Sequence, residues 1–330
     1  MKTRPLGKTG LRVSELALGG LFLSSMGGDF KQARAATLRA LKLGVNYVDT
    51  APGYLNSEEV LGGILKEVDQ PLILSTKLGG RPKPFQPQNK DCLRRSVEMS
   101  LEALGRKQID ILMIHEPDRP NEYDWWTDNE KLTGPVLELL DELKKEGVIR
   151  CTGLGGTTAY NLARLIRTGR FDVVLTAFNY SLLWREAEHE IIPAAVEHKV
   201  GLVIGSPLQQ GALARRYDDQ VAHGAGWMSL PRRKQYQALY ALLDETGIPL
   251  AEMGLRFVLS NPDVSCTLMG ARSEAEVDQN VQAVEKGPLP PYILKRLDGI
   301  AAMVPFRPFD EPFGLPFTRP YKGPGSAWNG

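Results

Sequence analysis

The 330 residues carry 40 lysines and arginines against 39 aspartates and glutamates, a formal net charge of +1. Such a balance offers no long-range field for nucleic acid or an anionic membrane, so neither partner is expected. A hydrophobic content of 42% is ample for a large core, and the length suits one large domain or two ordinary ones.

The start, Met1-Lys2-Thr3-Arg4, leads into polar and glycine residues rather than an apolar signal core, so a cytoplasmic protein is expected. A two-strand hairpin is predicted first, turning at Lys8-Thr9-Gly10. The apolar stretch from Leu16 to Leu23 is far too short to cross a membrane. Strands are then predicted near 16–19, 45–48, 72–76, 110–114, 149–154, 172–176, 201–205 and 265–269, with helices in most of the gaps. Asn56 is placed to cap the second helix, whose buried stripe is Val60, Leu61, Ile64 and Leu65. Leu93, Val97, Leu101 and Leu104 form the stripe of the next. Asp141 and Lys145 are an i,i+4 pair on a helix ending at Gly147.

Eight strands alternating with helices argue for a (β/α)8 barrel, with an N-terminal β-hairpin and long C-terminal loops, as a single domain over 1–330. An open doubly wound sheet would want a glycine-rich turn after its first strand. Here Gly153-Leu154-Gly155-Gly156 follows the fifth strand instead, and Thr158 stands where a third glycine belongs. Three long connections, Glu116 to Thr133, Pro207 to Leu230 and the tail from Met303, are where function is expected. The tail's aromatics, Phe306 to Phe317, suggest packing on the barrel, and residues 323–330 are expected to be loose. Cys92, Cys151 and Cys266 are an odd number without C-x-x-C spacing, which fits a reducing compartment.

Three successive strand ends carry polar residues: Asp49 and Tyr54, then Lys77, then His115. In a parallel barrel these ends share one face. A carboxylate, a phenol, an ammonium and an imidazole then converge and can tune one another. A free tyrosine ionises near about 10. A close ammonium such as Lys77 lowers that value, by roughly 1–3 units. Asp49 can hold Lys77, and His115 can donate to a carbonyl oxygen. The cluster handles protons but supplies no electrons, so a hydride donor must be bound.

The four residues, the stretch Asp49-Thr50-Ala51-Pro52-Gly53-Tyr54-Leu55-Asn56-Ser57-Glu58, the opening Arg4-Pro5-Leu6-Gly7-Lys8-Thr9-Gly10 and the late Gly270-Ala271-Arg272 together resemble the aldo-keto reductases, with Leu55 where glycine is usual. The resemblance covers about Thr3 to Asn280 and is nearest the aldose 1-dehydrogenase and galactose dehydrogenase branch. It implies a catalytic tetrad of Asp49, Tyr54, Lys77 and His115, acting with NAD(H) or NADP(H) on a small carbonyl or alcohol, without metal. NADP(H) is favoured through Arg272. It implies cofactor contacts at Gly20 and Leu21, at Ser206, Pro207, Leu208 and Gly211, and at Gly270, Ala271, Arg272, Glu276, Gln279 and Asn280. Gly155, Gly156 and Ala177 stand where the family often has the side chains that clamp the nicotinamide amide, so the resemblance implies that this clamp is either weakened or replaced, by backbone or by Asn179. Tyr180 is read either as a nicotinamide stack or as core, and Trp125 and Trp126 as a substrate wall or packing. Arg272 either meets the 2′-phosphate or pairs with Glu276, four residues on.

Other readings of the same residues are weaker. His115-Glu116-Pro117-Asp118 lacks the spacing of a metal site, and Glu116 with Glu190 is poorly placed for a glycosidase pair. A regulatory subunit that keeps barrel and cofactor, as the potassium-channel β-subunits resemble this family, is the main alternative. A barrel hydrolase or isomerase is the second.

Overall fold

The computed structural model describes residues 1–119 and 123–306. Strands β1 (Thr3–Pro5) and β2 (Arg12–Ser14) form the antiparallel hairpin. Eight further strands follow: β3 (Leu16–Gly19), β4 (Tyr47–Asp49), β5 (Ile73–Leu78), β6 (Ile109–His115), β7 (Ile149–Gly156), β8 (Val173–Ala177), β9 (Gly201–Gly205) and β10 (Cys266–Met269). They close into one parallel barrel in chain order, with β10 pairing back to β3. The helices α1 (Phe30–Lys42), α2 (Ser57–Leu65), α3 (Lys90–Leu104), α4 (Pro135–Lys145), α5 (Ala159–Ile166), α6 (Ile191–Glu197), α7 (Asp218–His223), α8 (Leu230–Thr246), α9 (Leu250–Ser260), α10 (Glu274–Glu285) and α11 (Pro291–Ala301) accompany it. The expected fold and all eight barrel strands are therefore present.

Strand parity divides the core. Successive side chains alternate between the barrel interior and the helical layer. Ile111 and Met113 of β6 point inward with Tyr47, Val173, Leu175 and Val203. Leu112 and Ile114 of the same strand pack outward on the helices. Leu6, Leu11 and Val13 of the hairpin join the interior cluster and close the lower end. Arg4 holds the hairpin there, donating to the carbonyls of Leu259, Asn261 and Val264 at 2.7–2.9 Å. Gly7 adopts φ 51, and a Cβ on it would lie 2.6 Å from the Lys199 carbonyl oxygen, so the turn requires glycine.

Some local expectations change. Asn56 precedes α2, but its side chain does not cap it; Oδ1 accepts from Ser25 N at 2.8 Å instead. Leu61, Ile64 and Leu65 are buried, as are Leu93, Val97 and Leu104, whereas Val60 and Leu101 are half-buried. No Asp141–Lys145 ion pair forms among the described residues; the ion pairs at this end of α4 run to neighbouring elements instead, Arg94 with Glu142 and Glu146, and Lys144 with Asp172. Gly155 and Gly156 do not follow the fifth barrel strand but end it. The tail from 307, including the expected aromatic packing and the loose end at 323–330, lies outside the described residues.

Candidate active site

The carboxyl rim of the barrel is marked by backbone strain. Glu116, Phe178 and Ser206, the first residues past β6, β8 and β9, have φ of 50, 67 and 51, and Leu55 in the loop after β4 has φ 52. Left-handed conformations cost an L-residue on the order of 1–3 kcal/mol each and gather at functional sites. At Leu55 this explains the usual glycine, which adopts that conformation without a side-chain clash.

Inside this rim the four expected residues meet. Asp49 ends β4, and Lys77 stands on β5; they are 1% and 2% exposed. Lys77 Nζ donates to Asp49 Oδ2 at 2.6 Å and to the Thr50 carbonyl at 2.9 Å. The same ammonium lies 4.7 Å from the Tyr54 ring centroid. The His115 ring meets the Tyr54 ring edge-on, centroids 5.8 Å apart. Gly53 leaves room for that imidazole; a Cβ there would touch His115 Cε1 at 3.6 Å. His115 Nδ1 is buried and has no hydrogen-bond partner.

Electrostatics assigns protonation states. Burial, then the charges of Lys77 and Arg119, push His115 down to about 3, so it is a neutral imidazole at ordinary pH. Lys77 is desolvated, but Asp49 and Tyr54 more than compensate and hold it charged, above the usual lysine value. Tyr54 departs from expectation. Burial raises its pKa; Lys77 lowers it, but Asp49 and Glu116 raise it again, and the net shift is upward. Lys77 therefore limits a rise rather than producing a fall. At neutral pH the phenol carries its proton.

The remaining predicted residues divide. Gly20 and Leu21 open a turn after β3, where Ser57 donates to the Gly20 carbonyl at 2.7 Å. Ser206, Pro207 and Gly211 lie on the loop after β9, and Ala177 ends β8, half-buried. Leu208 leans outward onto Gly254 of α9. Gly270 is exposed at the end of β10 with the Phe22 ring against it, where a Cβ would come within 2.6 Å. Ala271 buries its methyl in the strand–helix core, so it offers only backbone. Gln279 is exposed, and Asn280 donates weakly to Met269 Sδ at 3.8 Å. Arg272 is engaged: its guanidinium donates to Glu276 Oε1 at 3.1 Å and its backbone N–H to Oε2 at 2.8 Å. Of the two outcomes expected for this arginine, the internal pair forms here.

Three residues with two possible roles are engaged by their neighbours. Tyr180 is core: its ring packs on Phe257 of α9 at 5.2 Å and its phenol oxygen accepts from Asn261. Asn179 is no free clamp, because its amide donates to Thr176 Oγ1 at 2.7 Å. Trp125 is fully buried, with its indole N–H on the His115 carbonyl at 2.9 Å, so it braces the strand end rather than walling the substrate. Trp126, half-buried, donates to the Pro117 carbonyl. Gly155 and Gly156 also acquire local reasons. A Cβ on Gly155 would lie 3.2 Å from Lys77 Cε, and one on Gly156 would overlap the buried Asp118 carboxylate.

Tyr123 was not anticipated. Its ring lies against Gly79 beside His115 and meets Phe85 edge-on and Trp125 at a tilt, each with centroids 5.3 Å apart. Nor were Ser75 and Tyr47, which are fully buried beneath Asp49. Strand parity could have found those two, since each stands two residues before a tetrad member on the same strand.

Residues 15–302 match the sequence profile of the Aldo/keto reductase family. The chain belongs to that family. It is 30% identical to L-galactose dehydrogenase of Arabidopsis thaliana, over 86% of this chain and 88% of that one. It is 27% identical to a putative voltage-gated potassium channel subunit beta of Schizosaccharomyces pombe, over 92% and 94%. Among solved structures, aldo-keto reductase AKR11C1 from Bacillus halodurans, in its holo form, superposes with a TM-score of 0.76 at 30% identity, covering 94% of this chain and all of that one. No helix of the described residues is long and apolar enough to cross a membrane.

Proposed function

We propose that the chain is a single-domain, cytoplasmic, NAD(P)-dependent oxidoreductase that interconverts a carbonyl and an alcohol carbon of a small aldehyde, ketone or sugar. The observation that carries this is the buried Lys77–Asp49 pair beside a protonated Tyr54 and a neutral His115 whose Nδ1 has no partner. These groups fit a hydride-transfer site: they move and orient a proton and contain no nucleophile. A bound nicotinamide would supply or accept the hydride. Tyr54 gives its phenolic proton to the forming alkoxide in reduction and takes it back in oxidation. His115, uncharged, orients the substrate oxygen by a hydrogen bond. Lys77 steadies the phenolate, and Asp49 holds Lys77.

For the cofactor, the exposed Gly270 leaves backbone open at the rim. Arg272 begins the turn into α10, whose N-terminus favours negative charge. The Arg272–Glu276 pair is exposed, at 47% and 37%, and such pairs are worth little, so a phosphate can displace the carboxylate. NADP(H) is therefore favoured. The raised Tyr54 pKa favours carbonyl reduction at neutral pH, with alcohol oxidation climbing as pH rises.

The test is a panel of aldehydes and ketones with NADPH and NADH, and of alcohols and sugars with NADP and NAD, on wild type and Tyr54→Phe. The substitution removes one oxygen, and turnover is expected to fall roughly 10²–10⁴-fold with cofactor binding kept. Retention of more than about a tenth of kcat would mean another proton donor. The likeness to a channel subunit favours, as a second reading, a cofactor-binding regulatory subunit; nicotinamide binding without turnover of any substrate would support it. A protein that binds no nicotinamide would instead point to a barrel hydrolase or isomerase.

A further inference from the structure

Two hydroxyl groups beneath the tetrad take no part in the chemistry above. Asp49 uses its carboxylate oxygens separately: Oδ2 accepts from Lys77, and Oδ1 accepts from Ser75 Oγ at 2.6 Å. Ser75 Oγ also lies 2.9 Å from the Tyr47 phenol oxygen. Both hydroxyl residues are fully buried. A carboxylate only accepts, and a serine hydroxyl carries one proton, so that proton is committed to Asp49. Tyr47 must therefore donate to Ser75, and the chain runs in one direction, from Tyr47 through Ser75 to Asp49. A tyrosine needed only to fill the barrel interior would be served as well by phenylalanine, without a phenol to desolvate. Register makes the arrangement possible: Asp49 pairs with Ser75 across β4 and β5, and Tyr47 and Lys77 sit two residues away on the same inner face.

We propose that Tyr47 and Ser75 are positioning residues of the tetrad, a directed hydroxyl chain that holds Asp49 with one oxygen turned to Lys77 and draws its negative charge away from Tyr54. This rests on the oxidoreductase reading only for its kinetic readout. The charged and titratable groups facing Tyr54 are Lys77 of β5, Asp49 of β4 and Glu116 after β6, with His115 edge-on. Those facing Tyr47 are Asp49, Cys266 of β10 and Tyr54. Lys77 and Arg119 act on His115. Hydrogen bonds in series polarise one another, so donation from Tyr47 strengthens that from Ser75. Without it, the Asp49 charge concentrates on the side of Lys77 and Tyr54, and Tyr54 holds its proton more tightly.

The experiment compares wild type, Ser75→Ala, Tyr47→Phe and the double variant by ultraviolet phenolate titration. The Tyr54 step is identified by its loss in Tyr54→Phe, within the pH range where circular dichroism shows the fold retained. Ser75→Ala should move that step to higher pH by on the order of 0.5–1 unit, roughly a 3–10-fold gain in proton affinity. Tyr47→Phe should move it the same way by less. The double variant should match Ser75→Ala, because Tyr47 acts through Ser75. A purely structural role would lower the melting temperature and leave the Tyr54 step in place; an unmoved or lowered step overturns the proposal. Should Ser75→Ala not fold, Tyr47→Phe decides by the same criterion, since it removes one oxygen from an unchanged ring. The titration needs neither substrate nor nicotinamide, so it stands even if no turnover is found. Where turnover is found, the alkaline limb of kcat for alcohol oxidation should follow the titration.

Discussion

Lys77→Met is the substitution that most directly examines the buried ion pair. The methionine stem follows that of lysine but removes the ammonium, which lies 2.6 Å from Asp49 Oδ2. Asp49 stays 1% exposed with only Ser75 donating to it, an aspartate held in low dielectric without a countercharge. Removing one partner of a buried pair costs about 3–5 kcal/mol. Denaturant midpoints at neutral pH read this loss directly. Adding Asp49→Asn should recover most of it, because no unpaired carboxylate is then left buried. Undiminished stability in Lys77→Met, or no recovery in the double variant, would refute the buried ion pair. In activity, Tyr54 should ionise later than in wild type, so alcohol oxidation falls at neutral pH and partly returns at high pH.

Other outcomes follow from the same geometry. His115 is depressed to about 3 in the folded protein, so the unfolded chain binds its proton first and stability falls as pH drops from about 6.5 towards 3. His115→Gln should remove about 1–2 kcal/mol of the loss between pH 7 and 5, read from denaturation midpoints; an unchanged acid limb would contradict the neutral imidazole. Arg272→Ala should weaken NADPH binding by about 1.5–3 kcal/mol and leave NADH nearly unchanged. Glu276→Gln should free the arginine and tighten NADPH; equal dissociation constants throughout would place phosphate recognition elsewhere. Gly7→Ala forces a Cβ at φ 51 onto the Lys199–Gly201 backbone and should cost about 2–4 kcal/mol in thermal or denaturant unfolding, without altering cofactor binding. A neutral result there would show that the hairpin is not held against the barrel.

The barrel and the tetrad were legible in the sequence because both depend on short-range pattern. Eight apolar runs separated by helical stripes define strands whose ends must share a face in a parallel barrel, and Asp49, Lys77 and His115 each close such a run. The family stretch around Tyr54 added the fourth member. What sequence could not decide depends on the balance of distances between residues far apart in the chain. Tyr54 was expected to be lowered by Lys77, yet burial together with Asp49 and Glu116 outweighs the ammonium, and only three-dimensional placement sets that sum. Tyr180, Trp125 and Asn179 have chemistry suited to a ligand, but Phe257, the His115 carbonyl and Thr176 claim them first. Gly155 and Gly156, read as a missing clamp, are also space for the Lys77 stem and the Asp118 carboxylate. Ser75 and Tyr47 lay within reach of the strand period, but their chain to Asp49 depends on the register of β4 against β5. Register is set by closure of the whole barrel, which no local segment encodes.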